Sequence, residues 1–116
     1  MRVFCSSPGC KATVPVELKA ERLCALHFTL SVEQTCAEMR RETAVAAATA
    51  ERRADIARYI ASSGEKLAHL ATGSEVLPDE MKGRILSTFL TLMNLRENLD
   101  RAARRAAAPG AHEAVG

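Results

Sequence analysis

Four side chains in the first part of the chain have the types and spacing of a metal site. They form the pattern Cys-x4-Cys-x13-Cys-x2-His, made by Cys5, Cys10, Cys24 and His27. Two pairs of ligands, each pair close in sequence, can build a tetrahedral site at little cost in chain entropy, and thiolate with imidazole is a set that zinc prefers. We therefore predict one structural zinc ion bound by these four residues.

The sequence around each pair favours this site. Cys5 and Cys10 flank Ser-Ser-Pro-Gly, which is typical of a turn that would bring both thiols together. Cys24 and His27 lie at or just before a helix N-terminus, where the dipole and free amide groups favour a thiolate. The segment 1–30 has few apolar side chains, so a metal would supply the stability that its small core lacks.

A fourth cysteine, Cys36, leaves an alternative open. The helix could begin at Ser31, which fits a capping box, or run continuously from Cys24. In a continuous helix Cys36 lies about 18 Å along the axis and is too far away to bind the same metal. If a loop precedes Ser31, Cys36 could replace His27 as a ligand. Its place in the apolar pattern favours a small core residue.

Two long helices are predicted to follow. Over 31–72, and again over 78–107, small and apolar residues recur alternately four and three residues apart, which is the pattern of a helix that packs on a partner. Gly73 suits a left-handed helix C-cap, and Pro78 suits a first helical turn. These signals predict an antiparallel two-helix coiled-coil hairpin.

The predicted fold class is therefore mainly α, with a small zinc finger at the N-terminus. Within that finger, residues 12–18 favour a short β-strand, which could pair with residues 23–24 in a β-hairpin. The predicted divisions are a zinc-binding module at 1–30, a helical hairpin at 31–108 and a disordered tail at 109–116.

The second helix has an apolar face wider than one Ala-rich partner helix can cover. The residues outside its packing seam are Leu86, Phe89, Leu90 and Met93. The zinc module, a second subunit or another protein could cover them. In the hairpin, the second helix ends about three turns short of the zinc module, which favours a second subunit. We therefore predict a homodimer or higher oligomer through 78–107.

Residues 5–28, with the pattern Cys-x4-Cys-x13-Cys-x2-His-Phe, resemble one zinc site of a treble-clef or B-box-like finger. A zinc module followed by a coiled coil also resembles part of the tripartite-motif proteins. A B-box has ligands for two metals, whereas this chain has ligands for one. The resemblance implies protein interaction and oligomerisation. It does not imply ubiquitin ligase activity, because the chain has no RING-like ligand set.

The composition argues against several partners. The chain has 16 basic and 14 acidic residues, a formal charge of +2, which predicts no strong nonspecific attraction to nucleic acid or membranes. The sequence shows no signal peptide and no apolar run of membrane-spanning length. We expect a cytoplasmic, reducing compartment, where cysteines bind metals or stay reduced.

An interaction or scaffolding role is the function that these patterns favour. A complete, sulfur-rich ligand set lacks the open position of a catalytic zinc, and no nucleophile with a plausible base is visible, so we predict no enzyme. The alternative is a nucleic-acid-binding regulator that uses Arg-rich helix faces. The arginines concerned are Arg40, Arg41, Arg52, Arg53, Arg58, Arg101, Arg104 and Arg105. Acids accompany them at helical spacing, which is typical of a salt-bridged surface.

Overall fold

The fold is mainly helical, as the sequence predicts. The structure is a computed structural model that describes residues 3–45, 49–73 and 76–107. In these ranges the elements are a 3₁₀ helix at Val16–Leu18 and three α-helices, α1 (Ala25–Val45), α2 (Ala50–Thr72) and α3 (Asp79–Ala107). Helices α2 and α3 pack against each other, and α1 packs on α3 and α2.

The single helix predicted over 31–72 is wrong, because the structure divides it in two. Helix α1 ends at Val45 and α2 begins at Ala50. Thr49 caps α2, since its hydroxyl accepts a hydrogen bond from the backbone N–H of Arg52 at 3.0 Å. The predicted two-helix hairpin is therefore replaced by a three-helix bundle.

Ion pairs between helices show their directions. Glu42, near the end of α1, pairs with Arg52, near the start of α2, at 2.8 Å, and Glu21, just before α1, pairs with Lys66, near the end of α2, so these helices are antiparallel. Glu33 in the first half of α1 pairs with Arg84 near the start of α3, also at 2.8 Å, and the last part of α1 lines one groove with the last part of α3. Helices α1 and α3 therefore run parallel to each other, and α2 runs antiparallel to both.

All three helices contribute to one hydrophobic core. Its most deeply buried helical side chains are Val32 and Cys36 from α1, Ile56, Ile60 and Leu67 from α2, and Ile85, Leu92 and Leu95 from α3. The α3 residues belong to the seam that the spacing predicts. Gly64 of α2 faces α3, where a Cβ would make ordinary van der Waals contacts with Met93 Cε at 3.5 Å and Phe89 Cε1 at 3.7 Å.

Residues 3–24, which we call the N-terminal head, do not contain the predicted β-hairpin. In this described segment an isolated antiparallel bridge joins Phe4 to Thr13, and no regular strand is present. The expected strand partner, Leu23, is replaced by Phe4. The 3₁₀ helix occupies the end of the expected strand and buries Leu18 completely in the bundle core.

The head lies against the end of α2. An ion pair joins Glu21 of the head to Lys66 of α2. Gly73 has φ −74° and ψ 176°, so the predicted left-handed cap is wrong. A Cβ at Gly73 would lie 2.7 Å from the carbonyl oxygen of His69 and 2.9 Å from Glu17 Oε2. Crowding at the end of α2, against His69 and the head, therefore accounts for this glycine. The head lies beside the end of α2, and the predicted three-turn gap between the zinc module and a helix end depended on the two-helix hairpin.

The tail predicted to be disordered, 109–116, lies outside the described residues. Within the described ranges, the helices lack a segment that is both long enough and apolar enough to span a bilayer.

Candidate metal centre

The first two predicted ligands, Cys5 and Cys10, are brought together by a turn in the head. The backbone N–H of Cys5 donates to the carbonyl of Ala12 at 2.8 Å, and that of Cys10 donates to the carbonyl of Ser7 at 3.0 Å. Gly9 has a φ of 78°, in the left-handed region that glycine enters at little cost. The structure therefore places a turn between the two cysteines, where the sequence predicts one.

The second pair, Cys24 and His27, lies at the start of α1. Cys24 directly precedes Ala25, and its carbonyl accepts a hydrogen bond from the N–H of Phe28 at 2.9 Å. Its Sγ lies 3.5 Å from the backbone nitrogen of His27, which donates to it. Cys24 therefore acts as the N-cap of α1, and its Sγ accepts from one of the free N–H groups of the first turn. Ser31, the other start considered from the sequence, lies inside the helix.

The two halves of the site are joined by a backbone contact that the sequence does not predict. The N–H of Ser6 donates to the carbonyl of Arg22 at 2.8 Å. Arg22 has a φ of 59°, a conformation that costs a non-glycine residue about 1–3 kcal/mol. A Gly or Asn at this position would have indicated the turn, whereas an arginine carries no such signal.

The four predicted ligands lie together. Their ligand atoms are all within 4.8 Å of one another. Nδ1 of His27 lies 3.5 Å from Sγ of Cys5 and 3.2 Å from Sγ of Cys24, and Sγ of Cys10 lies 3.9 Å from Sγ of Cys24. Cys5 and Cys24 are buried, and Cys10 and His27 are partly exposed. The group could hold a metal ion, with one donor atom from each residue.

The electrostatics of the cluster favour a cation. Burial opposes ionisation of Cys5, but backbone hydrogen bonds with Cys24 and Ser7, helped by the neighbouring thiols, lower its pKa to about 6. Burial raises the pKa of Cys24, and the nearby Cys5 and Cys10 thiols raise it further against a backbone hydrogen bond from His27. Three adjacent thiolates repel one another, and a divalent cation between them would remove that repulsion.

Cys36 is separate from this group. It is 1% exposed and lies in the bundle core, and burial raises the pKa of its thiol. Among the described residues, the candidate ligand group contains His27 and excludes Cys36. Because α1 is continuous from Ala25, Cys36 lies about 18 Å along the axis from Cys24. The alternative in which Cys36 replaces His27 is therefore wrong for this structure.

The predicted interaction residues fall into two groups. Leu86 and Leu90 are 54% and 62% exposed, whereas Phe89 is partly buried and packs against the core. Met93 is 36% exposed, and its terminal methyl lies near Gly64 of α2. The apolar stripe of α3 is partly covered because α1 and α2 both pack on it, which a two-helix hairpin could not provide.

Ion pairs engage several of the arginines that suggested nucleic-acid binding. The pairs are Arg52 with Glu42, Arg58 with Asp55, and Arg101 with Glu97. Each of these pairs joins exposed side chains and contributes little to stability. They do reduce the positive charge that these helix faces present to a polyanion.

Comparisons with known proteins add no identity. No family model, curated protein or solved structure matches the chain. The resemblance to a treble-clef or B-box-like finger therefore depends on ligand spacing alone. What stands independently of it is a Cys3His group whose donor atoms lie together at the junction of the head and α1.

Proposed function

We propose that the protein is a non-catalytic scaffolding protein that binds one structural zinc ion and self-associates through α3. The observation that supports zinc most directly is the donor geometry. A tetrahedral site with Zn–S of about 2.3 Å and Zn–N of about 2.0 Å has S–S edges of about 3.8 Å and S–N edges of about 3.5 Å. Three of the six donor separations, an S–S distance of 3.9 Å and S–N distances of 3.2 and 3.5 Å, agree with these edges, and all six are within 4.8 Å.

The donor set also favours a structural role. Three thiolates and one imidazole complete a tetrahedron, so no coordination position is left for water or substrate. When bound, zinc would supply a cross-link between the Cys5–Cys10 turn and the start of α1. Such a site needs reduced thiols, and we propose a cytoplasmic, reducing location on that ground.

Exposed leucines support self-association. Leu86 and Leu90 lie one turn apart on α3, with Met93 beside them. Each leucine buried fully would contribute about 1.5–3 kcal/mol, and a two-fold axis would bury the same stripe on both subunits. An unidentified protein with an apolar helix face is the alternative occupant.

One experiment tests both parts of the proposal. Elemental analysis of protein purified with zinc present should give one zinc per chain, and light scattering on the same sample should give at least a dimer. Leu90→Glu should reduce the mass to that of a monomer and leave the zinc content unchanged. Val76→Glu is the matched control, because Val76 is 92% exposed and lies outside α3.

The outcomes separate the two parts. Less than half an equivalent of zinc would contradict the metal proposal, whatever the mass. A soluble monomer at tens of micromolar would contradict self-association without affecting the metal proposal. Phe89 is unsuitable for this test, because it contacts the core and its substitution would disturb the bundle.

The nucleic-acid alternative has less support. Ion pairs already engage Arg52, Arg58 and Arg101, as described above. A salt-dependent mobility shift with duplex or single-stranded DNA would reverse this preference.

A further inference from the structure

A groove of about 640 Å³ lies between α1 and α3 at the end of the bundle away from the head. We call it the arginine groove. The residues on its sides that matter here are Arg40 and Arg41 from α1 and Asn98, Leu99, Arg101 and Arg105 from α3. The helices leave this space because the residues that face it at Ala37 and Ala102 have small side chains.

The lining is strongly positive. Among the described residues around the groove, four are arginines and none is acidic. Two nearby acids are engaged elsewhere, since Glu42 pairs with Arg52 and Asp100 pairs with Arg96. Arg101 is paired with Glu97 at 3.8 Å and donates a hydrogen bond to Asn98 Oδ1 at 2.9 Å. In the described structure the groove therefore presents three guanidinium groups without a paired carboxylate, those of Arg40, Arg41 and Arg105.

Helix electrostatics alone do not account for these arginines. Arg105 is in the last turn of α3 and can interact with the helix dipole there, but the last turn of α1 has no basic residue, so Arg40 and Arg41 lie outside it. Within the described parts of the chain, no carboxylate forms an ion pair with Arg40, Arg41 or Arg105. The C-terminal ends of α1 and α3 carry about half a negative charge each. The positive charge of four guanidinium groups is larger than these two ends can balance.

We propose that the arginine groove binds a small organic polyphosphate. A guanidinium fork matches two phosphate oxygens, and here the forks outside ion pairs are two on α1, Arg40 and Arg41, and one on α3, Arg105, which suits a ligand with more than one phosphate. Leu99, which is buried, and the small alanines give an apolar floor for the organic part. The volume is in the usual range for a small-molecule site, about 300–1,000 Å³.

The size and the surrounding charge favour a small ligand over an extended strand of nucleic acid. Beyond the groove, Arg52 and Arg58 are held in ion pairs, so no continuous track of unpaired arginines leads away from it along α2 in the described structure. Nucleic acid is therefore an outcome of the test rather than the proposal.

Calorimetric titration of the zinc-loaded full chain with ATP, without added magnesium, tests the proposal. We use low ionic strength, where surface charges are least screened. ATP should bind, AMP should bind at least about tenfold more weakly because it has one phosphate, and inorganic tripolyphosphate should also bind more weakly because it lacks the organic body. Metal analysis after titration checks that ATP has not removed zinc.

Paired variants locate the site. Arg41→Gln with Arg105→Gln should weaken ATP binding at least about tenfold. Arg58→Gln with Lys19→Gln is the matched control, because it removes the same charge from exposed positions outside the groove and should change affinity less than about twofold. Ala37→Leu adds bulk to the groove without changing charge, and it should also weaken ATP binding.

Several results would overturn the proposal. These are no ATP binding, equal loss in the groove and control double variants, tripolyphosphate binding as tightly as ATP, or full ATP affinity in Ala37→Leu. Tighter binding of a single-stranded oligonucleotide than of ATP, with the same dependence on Arg41 and Arg105, would replace it with nucleic-acid binding. None of these results bears on the zinc proposal, which metal content decides.

Discussion

The head and the three-helix bundle differ in how many apolar side chains they bury. In the bundle, aliphatic side chains from three helices interlock, with Ile60, Leu92 and Leu95 almost completely buried. In the head, two of the buried residues are the candidate ligands Cys5 and Cys24, and the largest buried apolar side chain is Leu18. Apolar burial can therefore stabilise the bundle, whereas the described head contributes few buried apolar side chains of its own.

The two regions are nevertheless joined at several points. Leu18 belongs to the same core cluster as the helices, and Glu21 pairs with Lys66. Cys24 caps α1, and His27 lies within its first turn. The predicted division at residue 30 falls inside α1, so the metal site and the bundle share a helix.

Metal removal should give the largest difference between the regions. Chelation, or Cys10→Ser, should unfold the head and leave most helical circular dichroism, because the bundle has its own core. Structural zinc sites contribute apparent binding free energies of about 10–16 kcal/mol, which few apolar contacts in the head could replace. NMR should show the largest loss of amide signal dispersion in residues 3–24.

Cys36→Ala is the matched control for this prediction. It also removes a thiol, but from the bundle core, so zinc should remain bound at one equivalent while stability falls. A global loss of helix on chelation would contradict the comparison, since the bundle would then depend on the metal too.

The Cys3His group and the α3 seam are the parts that the sequence predicts well. Two ligand pairs, each close in sequence, mark the four residues that the fold brings together, and Ile85, Leu92 and Leu95 recur at helical intervals on a face that must be buried. Both are signals from residues close together in sequence. The exposure of Leu86 and Leu90 also follows from their place outside the seam.

The break between α1 and α2 is the main feature that the sequence does not reveal. Residues 44–50 are rich in alanine and contain neither proline nor glycine, so helix propensity favours continuation. The useful signal is Thr49 followed by Glu51, an N-cap residue with an acid in the first turn. The heptad pattern continues across this signal and hides the break. A prediction without this break also places the head wrongly. Because α1 and α2 are antiparallel, the head, which precedes α1, lies beside the end of α2.

Truncating Leu18 tests how strongly the regions are coupled. Leu18→Ala removes a completely buried side chain and should lower the free energy of unfolding of the helices by about 2–5 kcal/mol, although Leu18 lies in the head. Thermal denaturation followed by helical circular dichroism, with zinc bound, measures this.

The control is Val16→Ala in the same 3₁₀ helix. Val16 is 82% exposed, so its truncation should change the free energy of unfolding by less than about 0.5 kcal/mol. If Leu18→Ala leaves the helical transition unchanged, the head and the bundle are independent units. Packing of Leu18 in the shared core cluster would then contribute nothing to the free energy of unfolding of the helices.

The smallest expected effect is a pH dependence that belongs to the bundle alone. Glu33 accepts hydrogen bonds from Arg84 at 2.8 and 2.9 Å and from Thr88 at 3.1 Å. The hydrogen bonds with Arg84, and then that with Thr88, lower the pKa of Glu33 from its ordinary 4.5, although burial opposes them. This interaction therefore stabilises the fold above about pH 4.5 and is lost as the pH falls through the lowered folded-state pKa.

Glu33→Gln isolates that interaction from the acid sensitivity of the metal site. Zinc is also released in acid as thiolates are protonated, but this affects the wild type and the variant equally. At neutral pH the variant should be less stable by up to about 1 kcal/mol, because the pair is partly exposed, and the difference should shrink below pH 4.5. Glu65→Gln, at an exposed position on α2, should show no such trend. A constant difference through acid pH would mean that Glu33 acts through packing rather than charge, and that acid sensitivity comes from the head.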